Sequence, residues 1–369
     1  MKIHVVKKGE TLQGIARSYA LDERALLLAN ALPLSGPLCP GQSLLIPGDF
    51  PCRGKSFELL AFPSSAIEPA AAAALTYLCP YSHRFDAEGT LILPDFHCHI
   101  PAVRQEGCAP LLCLANLDEE GSFSPELAHR LFTRPQLKEK LLDALVTKLK
   151  ANGYYGLQLC FNYLFPFDKD NYSAFAAELA PLLHREGLCL SLELAPPDSP
   201  ALSAALDYAA LGHEADRLSL MFCRWAHAYS PPQPLAPLPY IRAGLERICA
   251  LIPPQKLLLG LSGAGFDWQL PWTLGDRAQQ FPNALAVEKA MALGLEIKYD
   301  ERAQCPYYDY TDPAARRHRL YFEDARSTEA KLRLAEEYAL AGFSLYSWDS
   351  ALRPGGFGLG QLSNPEKLL

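Results

Sequence analysis

The residues best placed to do chemistry in this chain lie on one short run, Tyr155 to Tyr163, where two kinds of side chain alternate. Alternation with a period of two marks a strand whose faces look in opposite directions. Leu157, Leu159 and Phe161 share one parity, and Gln158, Cys160 and Asn162 share the other. The second set is polar and uncharged. A carboxamide donates and accepts hydrogen bonds but cannot transfer a proton near neutral pH, so Asn162 suits holding a ligand and not general acid catalysis. Cys160, and Cys223 in Met221-Phe222-Cys223-Arg224, would be nucleophiles or metal ligands only beside a positioned His; without one, buried packing is their expected role. Four carboxylates remain as replacement acids: Glu193, Asp267, Glu323 and Asp324. Each is read first as a structural hydrogen-bonding or salt-bridging group.

The rest of the composition narrows the field. With 369 residues, 49% hydrophobic and 20% charged, the chain has the make-up of an ordinary globular protein and room for one large domain plus a small one. A net charge of −7 argues against nucleic acid or an anionic membrane as partner. Eleven cysteines are scattered without a C-x-x-C pair or a His at zinc-finger spacing, so neither metal nor cofactor is expected. They read as reduced, buried thiols of a reducing compartment. Met1 to Lys7 lacks the apolar core of a signal peptide, and no uncharged apolar run is long enough for membrane insertion. Synthesis in the cytoplasm without a signal peptide is the expectation.

The elements that must carry these residues follow from the apolar pattern. Residues 1–48 read as strand, helix, helix, strand: Ile3 to Val6 alternates, Thr11 precedes a helical repeat, Asp22 starts a second, and Gly41 to Pro47 gives turn, strand and stop. A linker over 49–56 follows. From 57 to 369, eight apolar runs alternate with helical patterns: 57–62, 76–81, 110–117, 155–163, 188–195, 218–225, 256–262 and 342–348. Continuous apolar strands between amphipathic helices argue a parallel sheet covered on both faces, and eight such units predict a (β/α)8 TIM barrel. Between strands 7 and 8, aromatic alternating segments such as Pro306-Tyr307-Tyr308-Asp309-Tyr310 predict a small α+β insertion at about 269–325.

Two resemblances attach to specific residues. Val5 to Leu12, Ala29-Asn30, and Pro40-Gly41-Gln42 through Ile46-Pro47 resemble the LysM module, a small α+β domain for N-acetylglucosamine-containing glycans. The resemblance puts its groove at Gly9, Glu10, Thr11 and Leu12, and at Asn30 and Leu32. From Phe57 onward the chain resembles family 18 glycoside hydrolases, in the spore-cortex branch that carries LysM modules. The matching segments include Gly153 to Tyr163, Ser124 to His129, Ala195-Pro196-Pro197, Gly265 to Trp268 and Phe322 to Ser327.

That family cleaves with help from the substrate's own acetamide: a Glu at the end of the fourth strand protonates the leaving oxygen, an Asp two residues earlier orients the acetamide, and a sixth-strand Tyr binds it. By the resemblance Asn162 stands at the Glu, Cys160 at the Asp and Cys223 at the Tyr, with Arg224 where a carboxylate belongs. Trp348 aligns with the family's sugar-site floor; Tyr81, Tyr163, Trp225, Asp267, Trp268 and Arg224 are the other expected sugar-binding residues. The expectation is a peptidoglycan- or chitin-binding protein of the spore envelope or cortex with little or no hydrolytic activity. The alternatives are an N-acetylglucosaminidase with a displaced acid and a structural coat protein.

Overall fold

The computed structural model describes residues 2–30, 32, 37–47, 56–63, 69–80, 82–92, 100–347 and 366–369. At the N-terminus, β1 (Lys2–Val5) pairs antiparallel with β2 (Ser43–Ile46). Between them lie α1 (Leu12–Ser18) and α2 (Glu23–Asn30). Thr11 caps α1 by accepting the Gly14 N–H at 3.1 Å. Val6, Ile15, Ala16, Leu26, Leu44 and Ile46 close a small core of their own.

The barrel strands match the eight apolar runs. They are β3 (Glu58–Phe62), β4 (Tyr77–Leu78), β7 (Ala109–Ala115), β8 (Gly156–Cys160), β9 (Cys189–Leu194), β10 (Arg217–Leu220), β11 (Leu257–Ser262) and β17 (Gly342–Tyr346). All pair in parallel, and β17 closes the ring between β11 and β3. A hairpin of β5 (Arg84–Phe85) and β6 (Leu91–Ile92) follows β4. Helices α3 (Ile100–Gln105), α4 (Pro125–Thr133), α5 (Pro135–Asn152), α6 (Lys169–Arg185), α7 (Pro200–Ser203), α8 (Tyr208–Glu214), α9 (Leu238–Ile248) and α11 (Ala325–Glu337) lie among the barrel strands in sequence. In α5, Leu137, Leu141, Leu142, Leu145 and Leu149 form the buried stripe, and Gly153 ends the helix at φ 72°.

Period-two alternation sorts each strand between two cores. Leu157, Leu159 and Phe161 pack outward in the core shared with the helices. Cys160 belongs to the lumen cluster with Leu60, Leu111, Cys113 and Leu258. The sixth run departs from the sequence reading. β10 ends at Leu220 because Met221 (φ −79°, ψ 47°) leaves extended geometry, and a 3-10 turn then carries Phe222–Arg224. Cys223 and Arg224 are therefore loop residues, not strand residues.

Between β11 and β17 lies a five-stranded antiparallel sheet. It contains β12 (Ala264–Leu270), β13 (Gln279–Pro282), β14 (Lys298–Asp300), β15 (Cys305–Thr311) and β16 (Arg317–Tyr321), with α10 (Asn283–Ala292) packed on it. The sheet starts at Ala264, so Gly265 to Trp268 belong to it and not to a barrel strand. No described helix is long and apolar enough to cross a membrane.

Candidate functional site

A cleft of about 830 Å³ opens where the C-terminal ends of β3, β11 and β17 meet the loops after β8, β9 and β10. Its wall is aromatic, with Phe62, Tyr163, Trp225, Tyr240, Phe266 and Tyr346 in it. Flat apolar rings beside a few polar groups suit the C–H faces and hydroxyls of sugars. Tyr346 stacks on Phe62 with ring centroids 4.8 Å apart and 8° between planes. The Arg224 guanidinium lies 5.8 Å from the Tyr346 ring centre. Trp225, 38% exposed, rests 4.0 Å from Tyr240, and Tyr163, 51% exposed, stands out from a left-handed backbone at φ 55°.

Below this wall the barrel is polar but closed. Asn162 is buried, and its N–H donates to Asn116 Oδ1 while Asn116 Nδ2 donates to the Asn162 carbonyl, both at 3.0 Å. These reciprocal bonds hold the chain just past β8 against the end of β7. The Asn162 side chain then donates through Nδ2 to Glu193 Oε1 at 2.8 Å. The second Glu193 oxygen accepts the Tyr346 hydroxyl, also at 2.8 Å. Glu193 is 2% exposed and is not part of the cleft wall. Burial, with the Glu193 carboxylate nearby, holds the Tyr346 phenol well above its ordinary pKa.

Cys160 is wholly buried, its Sγ 3.5 Å from Cys113 Sγ. Burial raises both thiols far above the usual range, which keeps them protonated and unreactive. Cys223 does reach the cleft, and burial raises its thiol too. No described group of three or more His, Cys, Asp or Glu side chains has the arrangement of a metal site.

The other carboxylates considered as acids are engaged elsewhere. Alternation along β12 turns Phe266 to the cleft and Asp267 to the opposite face. There Asp267 accepts from Lys289 at 2.8 Å, Tyr310 at 2.5 Å and His318 at 3.1 Å. Trp268 is fully buried and donates through Nε1 to the Ser230 carbonyl at 2.7 Å. These two residues, expected at the sugar site, thus do not line the cleft. Glu323 pairs with buried Lys331 at 2.6 Å, and Asp324 caps α11 with Ser327. Among the described residues, Asp198 is the one carboxylate in the cleft wall, and Arg247 holds it in an ion pair. Trp348 and Tyr81 lie outside the described residues.

In the N-terminal module, Glu10 Oε2 accepts the Lys7 N–H at 2.7 Å and contacts His4 Nε2 at 2.8 Å, closing the loop around Gly9. The Lys7 N–H, then His4, lower the Glu10 carboxyl below its ordinary value. Asn30 is structural: Nδ2 donates to the Leu26 and Leu45 carbonyls, and Oδ1 accepts the Leu45 N–H at 2.6 Å. Leu12 and Leu32 pack against the module's core. Gly9 and Thr11 remain at the open end of the loop.

Phe62, His227, Tyr240 and Tyr346 line the cleft without having been singled out from sequence. For Tyr346 a signal existed in the sequence: it stands two residues before Trp348 in the apolar run 342–348.

Comparison with known proteins agrees with this architecture. The model of the LysM domain matches residues 4–47, and the model described as Glycosyl hydrolases family 18 matches residues 118–351. The cortical fragment-lytic enzyme of Bacillus subtilis (strain 168) is 32% identical, over 94% of this chain and 94% of its own. The putative sporulation-specific glycosylase YdhD of the same organism is 29% identical, over 96% of this chain and 86% of its own. The crystal structure of the Bacillus megaterium QM B1551 spore cortex-lytic enzyme SleL superposes with a TM-score of 0.79 at 28% identity, covering 100% of this chain and 87% of that one.

Proposed function

The chain belongs to the glycosyl hydrolases family 18, and from that premise we propose that it holds an N-acetylglucosamine-containing glycan in its barrel cleft without cleaving it at an appreciable rate. The reading assigns residues 1–48 to glycan anchoring and 57–369 to the barrel. The cortical fragment-lytic relatives make spore-cortex peptidoglycan the favoured glycan and the spore envelope the favoured location.

One observation carries the reading. Asn162, at the position of the family's acid, directs its amide to a buried acceptor, Glu193, and not to the cleft. A general acid contributes about 10²–10⁴ in rate. The positions assigned to the acetamide's partners hold the thiols Cys160 and Cys223, which removes further transition-state stabilisation. Aromatic faces for sugar packing remain.

The test is calorimetric binding of chitotetraose and solubilised cortex fragments, with new reducing ends measured in parallel. Binding without turnover is expected; turnover at the rate of an active relative would sink the reading. A second reading makes Glu193 a displaced acid, on the strength of its 2.8 Å contact with Asn162. It requires slow, pH-dependent hydrolysis that disappears in Glu193→Gln. The geometry favours the first, because both Glu193 oxygens already accept hydrogen bonds and neither faces the cleft.

A further inference from the structure

Among the described residues, the hydrogen bonds between the N-terminal module and the rest of the chain converge on one turn, Cys39 to Gln42, beside which β2 packs near α11. On the module's side, Gly41 N–H donates to the Val6 carbonyl at 2.8 Å, Val6 N–H to the Gln42 carbonyl at 2.9 Å, and Cys39 N–H to Gln42 Oε1 at 3.1 Å. On the other side, Ile297 N–H donates to the Pro40 carbonyl at 2.9 Å, and the Cys39 thiol to the Leu295 carbonyl at 3.0 Å. Arg326, braced by Asp324 at 2.7 Å and lying 4.3 Å from the Tyr299 ring centre, donates to the Gly41 carbonyl at 2.9 Å.

Packing agrees with the hydrogen bonds. Cys39 is 1% exposed and belongs to the apolar cluster of Ala290, Ile297, Tyr308, Leu320 and Phe322, not to the module's own core. Gly41 sits at φ +79°, and a Cβ there would collide with the Ile297 carbonyl. Only glycine combines that conformation with so close an approach. The turn is therefore part of both bodies, and the module is not free on a tether.

Cross-strand register shows where the module is held. Phe266, opposite Tyr321, is on the sheet face that walls the cleft. Leu320, opposite Asp267 and Tyr308, is on the other face, in the cluster that receives Cys39. The cleft and the module's dock thus lie on opposite faces of one inserted sheet.

We propose that this sheet is a rigid bracket that sets the module and the cleft at a fixed separation, so that the chain selects long N-acetylglucosamine polymers, which engage both sites, over short oligosaccharides, which occupy one. The inference rests on the glycan-binding reading above. Two linked sites gain affinity when the linkage holds them at a span the ligand bridges, and lose it when the linkage explores many others. Docking removes that exploration.

The experiment uses the full chain and its Cys39→Glu variant, which places a carboxylate in the apolar cluster but leaves the module's own core unchanged. Arg326→Ala, which removes the bond to Gly41 along with the Asp324 and Tyr299 contacts but leaves Cys39 in its apolar cluster, is a milder second variant. Small-angle scattering reads the module's placement; calorimetry reads affinity for chitotetraose and for long peptidoglycan strands freed of stem peptides. The expected result is expansion of Cys39→Glu, unchanged chitotetraose affinity, and at least about ten-fold weaker binding of strands, with Arg326→Ala between. Equal strand affinity in wild type and an expanded variant overturns the proposal, as does a wild type already as expanded as the variant. Failure of wild type to bind either glycan overturns the glycan-binding reading itself, and is distinguishable from both.

Discussion

Asn162, just past the end of β8, neighbours Glu193 on the adjacent β9, one a neutral donor and the other an acceptor shared with Tyr346. Truncating the acceptor leaves two buried donors without their protein partner, and each unsatisfied group costs about 1–3 kcal/mol. Glu193→Leu is expected to lower stability by roughly 2–4 kcal/mol in urea titrations, and Glu193→Gln by less, since its carbonyl still accepts one bond. A loss no greater for Leu than for Gln would show that these hydrogen bonds do not hold the barrel mouth. His83 is a second residue whose setting predicts behaviour. Buried, with Nδ1 3.2 Å from the Cys113 carbonyl, it has its pKa pushed by desolvation down to about 4 from 6.5. Because the folded value is depressed, the unfolded chain binds the proton first between those limits. Stability from this site is complete above pH ~6.5 and is lost as pH falls toward 4, by up to about 3 kcal/mol. Unfolding midpoints across that range should slope in wild type and flatten in His83→Phe.

Among the elements, β17 is the most constrained, since it closes the barrel between β11 and β3 and delivers Tyr346 to the cleft. Its first residue, Gly342, lies so close to β3 that a Cβ would collide with the Glu58 backbone. Gly342→Ala must push two paired strands apart, and overpacking of this kind costs about 1–3 kcal/mol. Thermal unfolding should show the loss, and it should exceed that of Gly121→Ala, where φ is +79° but no neighbour lies within 4 Å of an added Cβ. A loss no greater than at Gly121, where backbone strain acts alone, would show that β17 and β3 accommodate the added methyl. The sheet between β11 and β17 supplies part of the cleft wall on one face and the module's dock on the other. A sequence reading of aromatic hairpins located it but did not distinguish its faces.

The whole molecule depends on junctions between its parts as much as on their interiors. Where the inserted sheet returns to the barrel, Lys331 and Glu323 form an ion pair with side-chain exposures of 1% and 4%. Removing one partner of such a pair strands the other charge, at about 3–5 kcal/mol, while removing both restores much of the loss. Lys331→Met should therefore be markedly less stable than Lys331→Met with Glu323→Leu, in a double-mutant cycle read by denaturant unfolding. Additive losses would show that the two groups act independently.

Much of this protein follows from local pattern. Eight apolar runs at strand length, separated by helical repeats, point to the barrel, because a strand covered on both faces is largely apolar. Alternation in Tyr155 to Tyr163 determined that Gln158 and Cys160 face the lumen, because a strand's period leaves no other choice. Partnership was decided only in three dimensions. Glu193, 31 residues after Asn162, reaches it because β8 and β9 pair in parallel, and Tyr346 arrives from the far end of the chain because β17 closes the ring. Asp267 and Trp268 adjoin a cleft residue in sequence yet lie behind or beneath the wall, because packing on α10 and under the Ser230 loop takes their polar atoms. Side-chain period is local information. Which donor meets which acceptor depends on strand order and closure, and these emerge only when the whole sheet is assembled.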